Sequence, residues 1–340
     1  MVAAADAGGS GSEERNVKRL TSNLIAIALL VGVGTTRAPA AGWEQRAPLP
    51  VPNGGFVAAA VGGRIVIAGG TTWDGDTKRW LNQVWSYDPA TDRWREAGRL
   101  PAALAYPASA QVGDTLWWAG GSGGETTHCA LWTLGNDLAP RLVSRLTDGF
   151  VYAAAAVVGL ELHVVGGTDD QAALDRVSRR FRSIDLKTGR VTELPPYPEA
   201  GLTTGTAVAV DGRILVFGGA RWDATARTVI NHAAAHAYDT RTQRWSALPP
   251  LRRANRGITA ITLDPRRIYL AGGYENDDTG FVSSAVIFDP ENPGYRPATP
   301  LPYAGMVTLV KVGDWVYCLG GEDRKRHRSA AAHRIAADQL

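Results

Sequence analysis

Six stretches of the chain repeat one hydrophobic pattern: an alternating apolar run, a two-residue turn, a second apolar run and a Gly-Gly pair. They are residues 57–70 (VAAAVGGRIVIAGG), 107–121 (PASAQVGDTLWWAGG), 153–167 (AAAAVVGLELHVVGG), 205–219 (GTAVAVDGRILVFGG), 257–273 (GITAITLDPRRIYLAGG) and 306–321 (MVTLVKVGDWVYCLGG). The first glycine of each pair stands at 69, 120, 166, 218, 272 and 320, giving intervals of 51, 46, 52, 54 and 48. Period-two alternation predicts strands. The connecting residues Gly62-Gly63, Gly113-Asp114, Asp211-Gly212 and Gly313-Asp314 accept the positive φ that a two-residue hairpin requires. The Gly-Gly pairs predict a tight backbone bend at the end of each second strand.

A third and a fourth strand follow each pair. Tyr87 and Trp94 lie seven residues apart, as do Tyr238 and Trp245, Phe288 and Tyr295, and Ile184 and Val191. Turn residues separate them, and the two rings are expected to fill the gap between neighbouring sheets. This unit, with Gly-Gly, Tyr-Asp and Trp, resembles the kelch repeat, whose period is near fifty residues. The match is close in repeats 1, 4 and 5, whereas repeats 2 and 3 have lost the Trp. Repeat 6 has only three strands, over residues 307–312, 314–319 and 328–335. The missing strand is expected at the other end, in residues 42–50 (GWEQRAPLP), which finish in the same Leu-Pro pair as Leu100-Pro101, Leu194-Pro195, Leu248-Pro249 and Leu301-Pro302. The resemblance implies an all-β fold, a six-bladed kelch-type β-propeller, with its last blade closed by the N-terminal strand so that no sheet edge stays exposed.

Composition changes this picture mainly at the N-terminus. Arg15, Lys18 and Arg19 precede an apolar run at 24–34, and Ala38-Pro39-Ala40 follows. A basic segment, a short apolar core and an A-x-A-like site predict a secretory signal over residues 1–41, removed to leave a single propeller domain over 42–340. The apolar run is about half of the ~20 residues a spanning helix needs, so no stable membrane insertion is expected after cleavage. The two cysteines, Cys129 and Cys318, fall in blades 2 and 6 and are not expected to pair. Export without disulfides places the protein in the periplasm or among secreted proteins. A net charge of +3 from interspersed charges gives no reason for a nucleic-acid partner.

In a four-stranded blade, the connections after strands two and four emerge on one face, around the central channel. There they gather Trp73, Lys78, Arg79, Trp80, Tyr106, Tyr152, Arg221, Trp222, Arg256, Tyr303 and Arg328. Aromatic faces among convergent cations suit a small sugar or sugar-acid ligand. Trp73, Arg79, Trp80, Tyr106, Tyr152, Arg221, Trp222, Arg256 and Tyr303 are the candidate substrate-binding residues. The last repeat reads Gly321-Glu322-Asp323-Arg324-Lys325-Arg326-His327-Arg328. It is similar to the Gly-Glu motif with Arg six residues later in bacterial N-acetylneuraminate epimerases (sialic acid mutarotases), which are periplasmic kelch propellers. The segment from Thr72-Trp73-Asp74 to Lys78-Arg79-Trp80-Leu81 resembles one in cyclically permuted mutarotase-like propellers. Between Glu322 and Arg328 the sequence departs from that family's Pro-Gly-containing turn and is strongly basic.

The resemblance implies anomer interconversion of sialic acid or a related sugar acid, with Glu322 as general base and acid and Arg328 as the carboxylate clamp or electrophile. The alternative is a non-catalytic propeller that binds carbohydrate or a protein partner on the same loop face. A copper-radical centre of the galactose-oxidase kind needs a Tyr joined to a Cys together with His ligands. Here His128, His163, His232, His236, His327 and His333 are scattered one or two per blade, so no metal and no cofactor are expected.

Overall fold

The computed structural model describes residues 42–340; the secretory signal read in residues 1–41 lies outside the described residues. Among the described residues, the strands form six antiparallel four-stranded sheets and two separate two-stranded hairpins. The sheets are the six blades of a β-propeller. Blade 1 runs Val57–Val61, Arg64–Ala68, Gln83–Asp88, Arg93–Arg99. The first strands of successive blades pack against one another around the axis, including that of blade 6 (Met306–Val312) against that of blade 1. That crowding accounts for the alanines in VAAAV, AAAVV and TAVAV: small side chains fit where the sheets converge. The second strands lie between two neighbouring blades and are buried along nearly their whole length, as in Arg64–Ala68 and Arg213–Phe217.

The seven-residue step is a cross-strand register. Tyr87 faces Trp94, Tyr238 faces Trp245, and Phe288 faces Tyr295, with ring centroids 5.0–5.1 Å apart. Each pair packs on the preceding blade: Tyr87 on Tyr317, Trp245 and Tyr238 on Phe181, Phe288 on Phe217. The outer ring also grips the linker leading into its own blade. Trp94 donates to the Ala47 carbonyl at 3.0 Å, Trp245 to Pro195 at 2.8 Å, and Tyr295 to Pro249 at 2.8 Å. Trp43 does the same for blade 6, donating to Pro300 at 2.8 Å. Four of the five Leu-Pro linkers are thus held by a ring, the exception being Leu100-Pro101 ahead of blade 2; Leu49, Leu100 and Leu301 are buried. Blades 2 and 3 carry Pro140 and Val191 at the outer position and form no such grip.

The Gly-Gly pairs serve a purpose beyond a bend. The N–H of each second glycine donates, at 2.7–2.9 Å, to a carbonyl in the linker of the next blade: Gly70 to Leu104, Gly121 to Phe150, Gly167 to Leu202, Gly219 to Asn255, Gly273 to Gly305, Gly321 to Asn53. A Cβ on each first glycine would lie 2.2–2.7 Å from that same oxygen. Close approach of one blade's linker to the next blade is what requires glycine here.

Blade 6 closes as expected. Glu44–Gln45 pairs with Ala332–Ala336, with Glu44 opposite Arg334, and the Arg334 guanidinium reaches the Glu44 carboxylate at 2.8 Å. Two boundaries differ from the sequence expectation. The second strand continues through the glycines to Glu322 (Trp315–Glu322), and the third begins at Ala332 rather than at 328. The chain between them turns inward, which buries Arg328 and Ser329. Two connections expected as loops are hairpins: Thr71–Asp74 with Thr77–Trp80 in blade 1, and Ala220–Asp223 with Thr228–Asn231 in blade 4. Cys318 is buried in blade 6 and Cys129 is exposed in blade 2.

Candidate functional site

One position per blade, just ahead of the first strand, builds a collar around the axis. Gly55, Tyr106, Tyr152, Thr204 and Gly257 all have φ between 50° and 74°. Their backbones join head to tail: Tyr106 N–H to the Gly55 carbonyl, Tyr152 to Tyr106, Thr204 to Tyr152, Gly257 to Thr204, at 2.7–3.2 Å. Left-handed backbone costs a non-glycine residue about 1–2 kcal/mol, and the chain of hydrogen bonds holds three such residues in it. The geometry aims Tyr106 and Tyr152 into the mouth of the channel, their rings 4.8 Å apart. In blade 6, Met306 occupies the equivalent place, within a strand irregular between Met306 and Thr308. Among the described residues, neither the Gly257 carbonyl nor the Gly55 N–H has a backbone hydrogen-bond partner in blade 6, so the collar is open there.

At that opening stands Glu322. The position after Gly-Gly is Thr71, Ser122, Thr168 and Ala220 in blades 1 to 4, all buried and small, and Tyr274 in blade 5. In blade 6 it is a carboxylate. Glu322 accepts from Arg328 Nη1 at 2.8 Å, with side-chain exposures of 31% and 4% respectively. Arg328 Nε donates to Thr71 Oγ1 at 3.1 Å, Nη2 to Tyr106 Oη at 3.0 Å, and Nη1 also to the His327 carbonyl at 3.1 Å. Gly54 makes room for this, since a Cβ there would meet Arg328 Cδ at 2.7 Å. One buried cation thus ties blade 6 to the blade 1 hairpin and to the linker of blade 2.

The electrostatics separate two residues of the same collar. Burial alone would raise the Tyr106 hydroxyl, but Arg328 and Lys78 outweigh it and hold the phenol below the ordinary tyrosine value. Lys78 Nζ lies 4.8 Å from the Tyr106 ring centre and 5.0 Å from that of Trp80. Tyr152 moves the opposite way: burial raises it, with Tyr106 and Glu322 adding to the rise. Burial opposes the charge on Arg328, but Tyr106 and Glu322 hold its pKa above the ordinary value. Neighbouring groups driven apart in this way are a signature of acid–base sites.

These residues line a cavity of about 660 Å³. Its walls carry four cations (Lys78, Arg256, Lys325, Arg328) against two carboxylates (Glu322, Asp277), an excess of two positive charges. Trp73, Tyr106, Tyr152 and Tyr274 supply ring faces. The Arg256 guanidinium stacks 4.4 Å from the Tyr274 ring centre and donates to Asn231 Oδ1 at 3.2 Å.

Of the residues expected from sequence, Glu322, Arg328, Trp73, Tyr106, Tyr152 and Arg256 meet in this cavity. Trp222 lines an adjoining lobe. Trp80 lies beside the cavity, packed on the Gly124 loop. Arg79 is exposed and bound to Asp74 through Nε at 3.0 Å and Nη2 at 2.8 Å. Arg221 points toward Asp223 at 3.9 Å, outside the cavity. Tyr303 requires a correction. Its hydroxyl donates to the Gly320 carbonyl at 2.7 Å and its ring packs toward His333. It lies three residues ahead of Met306, so it misses the collar register that carries Tyr106 and Tyr152. Arg328 requires one too, as its nitrogens are committed to protein partners and it holds Glu322 and Tyr106 rather than offering a free fork to a ligand. Tyr274, Asp277, Phe281 and Lys325 were missed. Tyr274 could have been found by aligning repeats on the residue after Gly-Gly. Among the described residues, no group of three or more His, Cys, Asp or Glu is placed to hold a metal.

Comparison with known proteins agrees with this architecture. Residues 52–101 match the family model described as Kelch motif. Kelch-like protein 25 of Xenopus tropicalis is 23% identical over 283 residues, covering 79% of this chain and 44% of that protein. Kelch-like protein terF of Aspergillus terreus is 26% identical over 296 residues, covering 84% of this chain and 53% of its own. The chain spans about half the length of these curated relatives. The solved structure of YjhT superposes with a TM-score of 0.67 at 13% identity, covering 78% of this chain and 89% of YjhT. At that identity the likeness concerns the fold.

Proposed function

We propose that the central cavity binds sialic acid or a related sugar acid and interconverts its anomers and, given the signal read in residues 1–41, does so in the periplasm or outside the cell. The observation that carries this is the Glu322–Arg328–Tyr106 array, a carboxylate and an acidified phenol held by one buried cation, in the floor of a positively charged, aromatic cavity. Lys78 and Lys325 attract the ligand's carboxylate. Glu322 takes the proton of the anomeric hydroxyl. The bond between the anomeric carbon and the ring oxygen breaks, a carbonyl forms, and Tyr106 delivers a proton to the ring oxygen. After rotation the ring closes on the other face, with both protons returned. Arg328 acts as a positioning residue, keeping the carboxylate and phenol in register.

Exchange NMR on a panel of sugar acids tests this. Acceleration of anomer exchange is expected, with a fall of at least about a hundredfold in Glu322→Gln, the usual scale of general acid–base catalysis. No acceleration for any sugar acid would end the proposal. The Glu322–Arg328 ion pair also suits a propeller that only binds a ligand there. In that case affinity is retained in Glu322→Gln and no exchange is accelerated by either form.

A further inference from the structure

The central cavity continues beneath the blade 4 hairpin. It shares Tyr152, Thr204 and Arg256 with a lobe of about 400 Å³. Trp222 and Val229 are register partners in that hairpin, so their side chains share one face, and both line the lobe. Arg227 joins them, and Arg256 stands at the junction of the two spaces. Among the described residues, the lobe's walls hold no carboxylate. The main cavity alone falls within the roughly 300–1,000 Å³ of a pocket for one small ligand. The lobe therefore adds a second compartment, with its own ring face and a cation not used in the first.

We infer that the ligand is an acidic oligosaccharide. Its reducing-end sugar acid occupies the central cavity over Glu322, and the next acidic sugar lies in the lobe. There the second ring rests on Trp222, and its carboxylate sits between Arg227 and Arg256. An indole face suits the C–H face of a pyranose, and two cations on a lobe whose walls hold no carboxylate among the described residues select a second negative group over a neutral sugar. This rests on the central cavity taking a sugar acid, and it names the length and charge of what is bound.

The test is isothermal titration calorimetry with matched pairs: galacturonate and digalacturonate, N-acetylneuraminate and its dimer. At least one dimer is expected to bind about tenfold or more tightly than its monomer, a difference near 1.4 kcal/mol. Trp222→Ala should bring that ratio to within about twofold of one, and Arg227→Ala should reduce it in a salt-sensitive way. Equal affinity for monomers and dimers, no dimer binding at millimolar concentration, or a ratio unchanged in Trp222→Ala each overturns the inference. Dimer preference without accelerated exchange would keep it and end the anomer-interconversion reading. Accelerated exchange of monomers without dimer preference would do the reverse.

Discussion

Arg328 is the residue on which the site's electrostatics turn. Its guanidinium is almost wholly buried, which is tolerable because Glu322, Tyr106, Thr71 and the His327 carbonyl take its donors. Removing it should be costly, about 3 kcal/mol or more, because buried partners are left unpaired. It should also release Tyr106 to the effect of burial. In the unfolded chain a tyrosine ionises near 10, and in the fold Tyr106 is held lower. Folding therefore favours tyrosinate. That stabilisation is present above pH 10 and is lost as pH falls through the folded value. The expected outcome is a tyrosinate absorbance difference between wild type and Tyr106→Phe with a midpoint below 10. In Arg328→Met that midpoint should rise above 10, and in Lys78→Met, on the exposed hairpin, it should rise by less. A midpoint unmoved in both variants would refute the electrostatic account.

The Gly-Gly pairs act at the level of the element. Gly166 has φ +72°, and a Cβ there would lie 2.2 Å from the Leu202 carbonyl oxygen that accepts from Gly167. Gly166→Ala combines left-handed strain with a clash against backbone that belongs to the next blade's linker. A loss of more than about 2 kcal/mol is expected, seen in urea unfolding as a lower midpoint at unchanged slope. The ring grip is milder. Trp245→Phe keeps the packing on Phe181 but frees the Pro195 carbonyl, and should cost about 1 kcal/mol. The aromatic step of seven was readable in the sequence because cross-strand register is a local property of a short turn. The hairpins of blades 1 and 4 were not, since residues 71–83 and 220–231 carry no alternating apolar pattern to announce them.

At the scale of the whole molecule, closure depends on residues 42–50. The Arg46 and Leu49 N–H groups donate to the Ala332 and Ala330 carbonyls, both at 2.8 Å, and Trp43 reaches across to Pro300. Deleting this segment uncovers the Ala332–Ala336 edge and the pocket of the buried Leu49. A loss of at least about 3 kcal/mol is expected from apolar area alone, together with concentration-dependent association through the free edge, read by size-exclusion chromatography. Glu44→Gln, which removes only the partly exposed ion pair to Arg334, should stay within about 1 kcal/mol. A deletion as stable and monomeric as the full propeller would show that the ring does not rely on this closure.

What the sequence determined by itself is the repeat: six units, their hairpins, the rings seven apart and the strand donated from the other end. All of these rest on periodicity and turn chemistry acting over a few residues. It also offered Glu322 and Arg328 as a spaced pair. Only the tertiary structure decided what that pair does, because Thr71 and Tyr106 are 257 and 222 residues from Arg328 in the chain and meet it only when the ring closes. The same closure separates Tyr106 and Tyr152, which face the channel, from Tyr303, which does not. Side-chain direction there is set by a left-handed collar that exists only when each blade's carbonyl is in place to hold the next.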